Sequence, residues 1–248
     1  MSNDPVTDAI KPEWSAPACV KVISTLRQGG CSQAPYDSFN LADHVGDEQA
    51  CVCRNRQLLK QAFNLPAEPN WLEQTHSTRV VNLENDTSRS ADAAITRRVN
   101  TVAVVMTADC LPVLLCNRAG TEVAAIHAGW RGLADGVIQE TLNKMYSRAS
   151  EVMAWIGPGI SRQYFEVGDE VRDIFLLHQG QNRPFFISSR AGHWLCDLQG
   201  IARSILERHG VAEVGQTQAC SYRDESQFFS YRRSATTGRM ASLIWIES

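Results

Sequence analysis

No stretch of this chain is apolar for long enough to cross a bilayer, which takes roughly 18 residues or more as a helix. The longest candidate, residues 101–116, is interrupted by Asp109 and Pro112. Charge of one sign is also missing: 24 basic against 27 acidic side chains leave a net charge of -3. That balance gives no basic footprint for nucleic acid and none for an anionic membrane surface. The beginning of the chain, Met1 to Asp8, is acidic and has neither the charged nor the apolar region of a secretory leader. The expectation is therefore a cytoplasmic protein. There is no C-x-x-C pair among the eight cysteines, and Cys51 and Cys53 are one residue apart, a poor fit to a zinc knuckle or a thioredoxin motif. Most of these thiols are expected to be reduced and structural; Cys116, inside an apolar run, is expected to be buried. Gly-x-x-x-x-Gly-Lys is absent, so there is no Walker loop. Histidines are scarce, six in all.

What is present is a 248-residue chain, 44% hydrophobic and 21% charged, enough to bury a sizeable core. Residues 1–17 are polar and hold Pro5, Pro12 and Pro17; they read as a flexible arm ahead of a single domain over 18–248. Strands are expected at 19–26, 79–83, 91–96, 102–107, 112–116, 123–127, 152–156, 185–187 and 240–246, and helices at 48–64, 133–149, 170–178 and 198–209. The last strand runs on without alternation through Leu243, Ile244, Trp245 and Ile246, as in a strand buried on both faces. Residues 31–47 read as an irregular surface loop. Interleaved strands and helices without a clean linker predict one mixed α/β domain.

Three residues carry the chemistry. His76, Cys110 and His127 each stand where an apolar run meets turn residues. Two imidazoles and a thiolate make a three-ligand zinc set, and a catalytic site keeps a further position open. Their separations, 34 and 17 residues, are unlike the local pairs of a zinc finger and suit ligands gathered from separate strand ends. Taken alone, a histidine or cysteine near a strand end is more often a packed or hydrogen-bonded side chain than a ligand. Asp109, beside Cys110, is suited to orienting a ligand histidine or accepting a proton, or to satisfying a turn. Arg131, in Gly129-Trp130-Arg131-Gly132 at a helix start, is placed to meet a phosphate or carboxylate; the glycines also suit a plain tight turn. Phe228-Phe229-Ser230-Tyr231-Arg232-Arg233 puts aromatic faces beside guanidinium groups. Such a set can stack on a purine, or it can be an edge strand with solvated arginines.

Several segments in order resemble the YfiH-like family, also called the laccase-domain or multicopper polyphenol oxidase family. They are Arg27-Gln28-Gly29-Gly30-Cys31-Ser32, Ser38-Phe39-Asn40-Leu41, Asn55-Arg56, Gln74-Thr75-His76, Ala91-Asp92-Ala93, and Thr107-Ala108-Asp109-Cys110-Leu111-Pro112-Val113. His127-Ala128-Gly129-Trp130-Arg131-Gly132 is the most specific, and Ile156-Gly157-Pro158, Tyr164 to Gly168, Phe228 to Arg232 and Thr237-Gly238-Arg239 complete the pattern. One departure is that the family often has cysteine where this chain has Gly159. The resemblance implies a layered α/β/β/α sandwich with mixed sheets, similar to the cytotoxic-necrotising-factor-like cysteine hydrolases. It implies that His76, Cys110 and His127 bind Zn2+ or Cu2+.

The activities it implies differ in class. The first is a zinc-dependent purine nucleoside phosphorylase acting on adenosine, inosine, guanosine and methylthioadenosine, with adenosine deamination. Asp109, Cys110 and His127 would then be catalytic, and Arg27, Asn40, Arg56, Arg131, Phe228 and Arg232 would meet substrate and phosphate. The others are a copper-dependent polyphenol oxidase, and a Cys–His amidase editing peptidoglycan precursors with Cys110 as nucleophile. Six histidines, of which His178, His193 and His209 fall outside the matching segments, are too few for a type 1 plus trinuclear copper set in one chain. The expected partners are small molecules, and the expected state is a monomer or weak dimer.

Overall fold

The apolar runs become strands buried on both faces, so they lie between layers and not at a surface. The computed structural model describes residues 8–178, 180–211 and 213–248. In chain order it contains β1 (Ala9–Ile10), β2 (Val20–Thr25), α1 (Gln49–Ala62), β3 (Val80–Asn82), β4 (Ala93–Thr96), β5 (Ala103–Thr107), β6 (Leu111–Asn117) and β7 (Val123–Ala128). Then come α2 (Trp130–Asp135), α3 (Val137–Lys144), β8 (Val152–Ile156), β9 (Glu166–Gly168), α4 (Asp169–His178), β10 (Phe186–Arg190) and β11 (His193–Cys196). The chain closes with α5 (Leu198–Arg208), β12 (Glu213–Gln216) and β13 (Met240–Ile246).

Two sheets stack face to face. One is antiparallel, in the order β1-β2-β13-β5; the other is mixed, in the order β12-β8-β6-β7-β4-β3. A small third sheet, β10-β11-β9, lies apart from both. Period-two alternation sorts the side chains between layers. Along β13, Ile244 and Ile246 fill the space between the sheets with Val105, Leu114, Ala125 and Trp155. Leu243 and Trp245 face the other way and join Ile23, Val104 and Leu59 of α1. On the far side of the six-stranded sheet, Val113, Leu115 and Ile126 pack under Ile138 of α3, Phe175 of α4 and Ile201 and Ile205 of α5. The result is the expected α/β/β/α sandwich.

Three local expectations are corrected. The helix expected over 133–149 is two helices, because Gly136 takes a left-handed φ of 104° and closes α2 before α3 begins. The expected flexible arm is partly built into the fold. Residues 1–7 lie outside the described residues, but Ala9 and Ile10 pair with Thr25 and Ser24 on the otherwise open edge of β2. Trp14 and Ala16 also pack against the inter-sheet core. Residues 31–47 are irregular as expected, and residues 33–35, 37, 43, 44 and 46 are exposed, yet Phe39, Leu41 and Ala42 are fully buried, so the middle of this surface loop also forms part of the core. Among the described residues no helix is long and apolar enough to cross a membrane.

Antiparallel pairing of β6 with β7 sets Pro112 opposite His127 and Leu111 opposite Ala128. The residue that precedes β6, Cys110, therefore arrives beside the end of β7. β4 pairs on the other side of β7, with Ala93 opposite Ile126, and brings Asp92 to the same end of the sheet.

Candidate metal centre

Asp92 organises this end of the sheet. It is fully buried, and a buried carboxylate is costly unless its lone pairs are taken up. Here they are: it accepts from the backbone N–H of His76 at 3.0 Å and of Ser77 at 2.6 Å, from the Ser77 hydroxyl at 2.7 Å, and from Nδ1 of His127 at 2.8 Å. Burial pushes its pKa up, but the bonds from His127 and Ser77 outweigh burial and hold it down at about 2. The same bonds keep His76 in a left-handed backbone conformation, φ 60°, which a residue with a Cβ seldom adopts without such support.

With Nδ1 of His127 committed to Asp92, Nε2 is left to bind. One ligand atom each from His76, Cys110 and His127 lies within 4.8 Å of the others. His76 Nε2 is 3.9 Å from Cys110 Sγ, and the two imidazoles meet edge to face with centroids 4.8 Å apart. Gly129 makes room for this meeting: a Cβ there would sit 2.8 Å from His76 Cδ2 and 3.0 Å from Cys110 Sγ. Burial alone would raise the Cys110 thiol, but the facing His127 charge and hydrogen bond bring it down to about 6. Burial would likewise lower His127, yet the Cys110 thiolate and then Asp92 raise it to about 9. At neutral pH the pair is a thiolate and an imidazolium.

The residues fit a metal ion. Two nitrogens and a sulfur are close enough to share one ion, a carboxylate behind His127 fixes its tautomer, and the His76 side is exposed. The donor set suits zinc and a single copper alike. Among the described residues no second cluster of three such ligands was found.

Asp109 does not orient a ligand histidine, as its position beside Cys110 suggested; Asp92 does. The Asp109 carboxylate instead accepts from the Ser221 hydroxyl at 2.6 Å and from the backbone N–H of Arg232 at 2.6 Å. Its own carbonyl takes the N–H of Ile160 at 2.9 Å. It thereby ties three loops together at the rim of a cavity of about 500 Å³ that has the three ligands on its wall. Trp130, Arg131, Phe165, Tyr231, Arg232 and Arg239 also line it. Arg131 lies over the Trp130 ring at 4.3 Å and Arg232 over the Phe165 ring at 5.1 Å. Arg239 donates to the carbonyls of Thr237 and Gly238 at 2.9 and 3.0 Å.

Four of the residues named from the sequence as substrate-binding are placed elsewhere. Asn40 is fully buried, with its amide bonded to Ala42, Asp47 and the N–H of Arg239. Phe228 is fully buried among Ala108, Phe229 and Met240, so it offers no face to a ligand. Its segment is irregular through 228–230 and turns at 231–233, and is not the edge strand that was the alternative. Arg27 lies over the Phe229 ring and donates to Asp37 and to the carbonyl of Glu225. Arg56 lies over Trp71 beside Asp43, in an adjoining cavity that shares His44, Gln74 and Met106 with the first. Asp92, Tyr231 and Arg239 were not singled out as site residues. The signal for Asp92 was a lone carboxylate at the head of an apolar strand. Cys116 is buried as expected, its thiol pushed by burial to about 12. At Gly159 a Cβ would come within 2.5 Å of Leu111 Cδ2, so this turn is packed for glycine.

A profile of the multi-copper polyphenol oxidoreductase laccase family matches residues 21–247. The chain belongs to this laccase-like, YfiH-type family. Among its relatives, the purine nucleoside phosphorylase YfiH of Escherichia coli is 46% identical over 239 residues, covering 96% of this chain and 98% of that protein. A purine nucleoside phosphorylase of Haemophilus influenzae is 45% identical, covering 96% and 99%. The crystal structure of a Neisseria meningitidis protein superposes with a TM-score of 0.92 at 46% identity, over 97% of this chain and 99% of that one. YlmD from Geobacillus stearothermophilus, at 25% identity, gives a TM-score of 0.84 over 98% and 100%. The family resemblance read from the sequence motifs is thus borne out over nearly the whole chain.

Proposed function

We propose that this protein is a metal-dependent purine nucleoside phosphorylase that also deaminates adenosine, with inosine, guanosine and methylthioadenosine as further substrates. The observation that carries the reading is the convergence of His76, Cys110 and His127 on the wall of a cavity lined by aromatic rings and guanidinium groups. The names of its relatives point the same way. The cavity, at about 500 Å³, falls in the range of small-molecule sites.

An ion held by the three side chains would supply a Lewis acid at the cavity wall. The remaining work falls to the chain. Trp130, Phe165 and Tyr231 offer faces to a purine; Arg131, Arg232 and Arg239 offer charge-assisted donors to phosphate. In phosphorolysis a phosphate oxygen bonds to the ribose anomeric carbon as the bond from that carbon to the base breaks. Positive charge builds on the sugar, and the guanidinium groups hold the incoming anion in line. Asp109, fixed by Ser221 and Arg232, would handle a proton. In deamination, water adds at C6 of adenine and ammonia leaves.

The direct test is incubation of the metal-loaded protein with inosine or adenosine and phosphate. Hypoxanthine or adenine with ribose 1-phosphate is expected, and hypoxanthine and ammonia from adenosine. A His127→Ala protein is the control.

The thiolate–imidazolium pair of Cys110 and His127 favours a second reading, a thiol-dependent amidase. A chelator separates the two: the phosphorylase loses activity in it, while a thiol hydrolase keeps activity and loses it to iodoacetamide. The copper-oxidase reading is weaker. The cluster offers ligands for one ion, and strong absorption near 600 nm after copper loading would be its mark.

A further inference from the structure

A pair of cysteines lies outside the metal centre and has no part in the proposed reaction. Cys31 opens the irregular loop 31–47, and Cys51 sits in the first turn of α1. Each thiol points at the other residue's backbone: Cys31 Sγ donates to the carbonyl of Cys51 at 3.5 Å, and Cys51 Sγ donates to the carbonyl of Cys31 at 3.5 Å. The reciprocal contacts set the two side chains face to face. Both residues are half-buried, so an oxidant can reach them. Cys53, two residues on, is exposed and contacts Gln49 on its own helix.

The place where they meet is mechanically important. Asn55 of α1, fully buried, accepts the N–H of Cys31 at 2.9 Å and donates to the Ser32 hydroxyl and to the carbonyls of Ser38 and Asn40. One amide therefore holds the loop to the helix. At its far end the loop carries His44, which lines the cavity, and the helix carries Arg56, which donates to the carbonyl of Leu41 at 3.0 Å.

We propose that Cys31 and Cys51 are an oxidation site that closes to a disulfide and locks the loop onto α1. With a peroxide as oxidant, one thiolate attacks the O–O bond and becomes a sulfenic acid as water leaves. The other sulfur then displaces the hydroxyl as a second water. Two thiols lose two electrons and two protons, and one peroxide is reduced to two waters. The bridge closes a loop whose ends are 20 residues apart and does covalently what Asn55 does by hydrogen bonding. Burial and then the neighbouring Cys31 thiol raise Cys51 to about 11, so Cys51 rests as the thiol and serves as the sulfur that displaces the hydroxyl from Cys31.

The test treats zinc-loaded protein with hydrogen peroxide, blocks remaining thiols, and maps the product. Cys31, Cys51 and Cys53 share one tryptic peptide, residues 28–54, and a glutamate-specific cut after Glu48 separates Cys31 from the other two. The expected product is a Cys31–Cys51 cross-link with Cys53 blocked, and a melting temperature higher by roughly 5–10 °C that reverts with a thiol reductant. Cys53→Ser keeps the shift and Cys51→Ser abolishes it. In an Asn55→Ser protein, oxidation restores part of the stability lost. A cross-link through Cys53, peroxide consumption with both thiols left free, or a Cys31–Cys51 bridge that lowers the melting temperature would overturn the proposal. None of these outcomes depends on nucleoside turnover.

Discussion

The carboxylate of Asp92 accepts Nδ1 of His127 at 2.8 Å and the backbone N–H of His76 at 3.0 Å, so one buried acid aims both imidazoles of the cluster. Its role is invisible in a list of ligands but decides whether they meet. Asp92→Asn keeps the shape and replaces an ionised acceptor by a neutral amide. Zinc affinity is expected to fall by about 10- to 100-fold, read by competition with a chromophoric chelator, with the fold retained by circular dichroism. Unchanged affinity would remove Asp92 from the account.

Zinc uptake should expel protons. A bound ion takes Cys110 as thiolate and His127 as neutral imidazole. With Cys110 at about 6 and His127 at about 9, this pair carries one proton between those pH values, two below and none above. Binding therefore releases one proton from the pair at pH 7.5, and affinity rises with pH through the window. Calorimetry in two buffers of different ionisation enthalpy measures the number. No released proton at pH 7.5 would mean that His127 is already neutral.

The metal-free protein should be alkylated selectively. The thiolate reacts and the thiol does not, so modification of Cys110 by iodoacetamide should reach half its maximal rate near pH 6. Cys116, raised to about 12, should stay unmodified at neutral pH. Zinc should protect Cys110, as peptide mapping with and without the ion would show.

Arginines at the cavity and away from it should separate by phenotype. Loss of a charge-assisted bond to phosphate typically costs a factor of about 10 or more. Arg131→Ala and Arg232→Ala should raise the KM for phosphate by that much. Arg27→Ala should leave that KM alone and lower the melting temperature, because it removes the ties to Asp37 and Glu225 and the contact with Phe229. The reverse pattern would place the phosphate site beside Arg27, away from this cavity.

Gly129→Ala is the smallest change that should injure the metal centre. The added methyl meets His76 and Cys110 at 2.8 and 3.0 Å, so the two ligands must part. The expected outcome is a folded protein with zinc affinity lower by roughly tenfold or more. Wild-type affinity would show that the cluster can rearrange.

Much of this was legible in the chain itself. The unalternating run of β13 announced a strand covered on both faces, and it lies between β2 and β5. The three ligands announced themselves by residue type at the ends of apolar runs. β11 and β12 were missed because their residues are mostly half-buried and show no clean period. The arginine-lined wall of the cavity was harder, since a guanidinium's direction is set by its partners in space. Arg27 and Arg56 found ring faces and carbonyls of their own, whereas Arg239, in a segment with less to distinguish it, came to the cavity. Phe228 and Tyr231 are three residues apart in one aromatic run, and the irregular backbone between them sends the first into the core and the second to the cavity.

The most direct measurement is the product balance from inosine and phosphate with the zinc-loaded protein. Hypoxanthine and ribose 1-phosphate are expected in equal amounts, with none of either without phosphate and loss of both in His127→Ala. Zinc-loaded protein that releases no base, or releases it equally well when phosphate is left out, would contradict the proposed reaction.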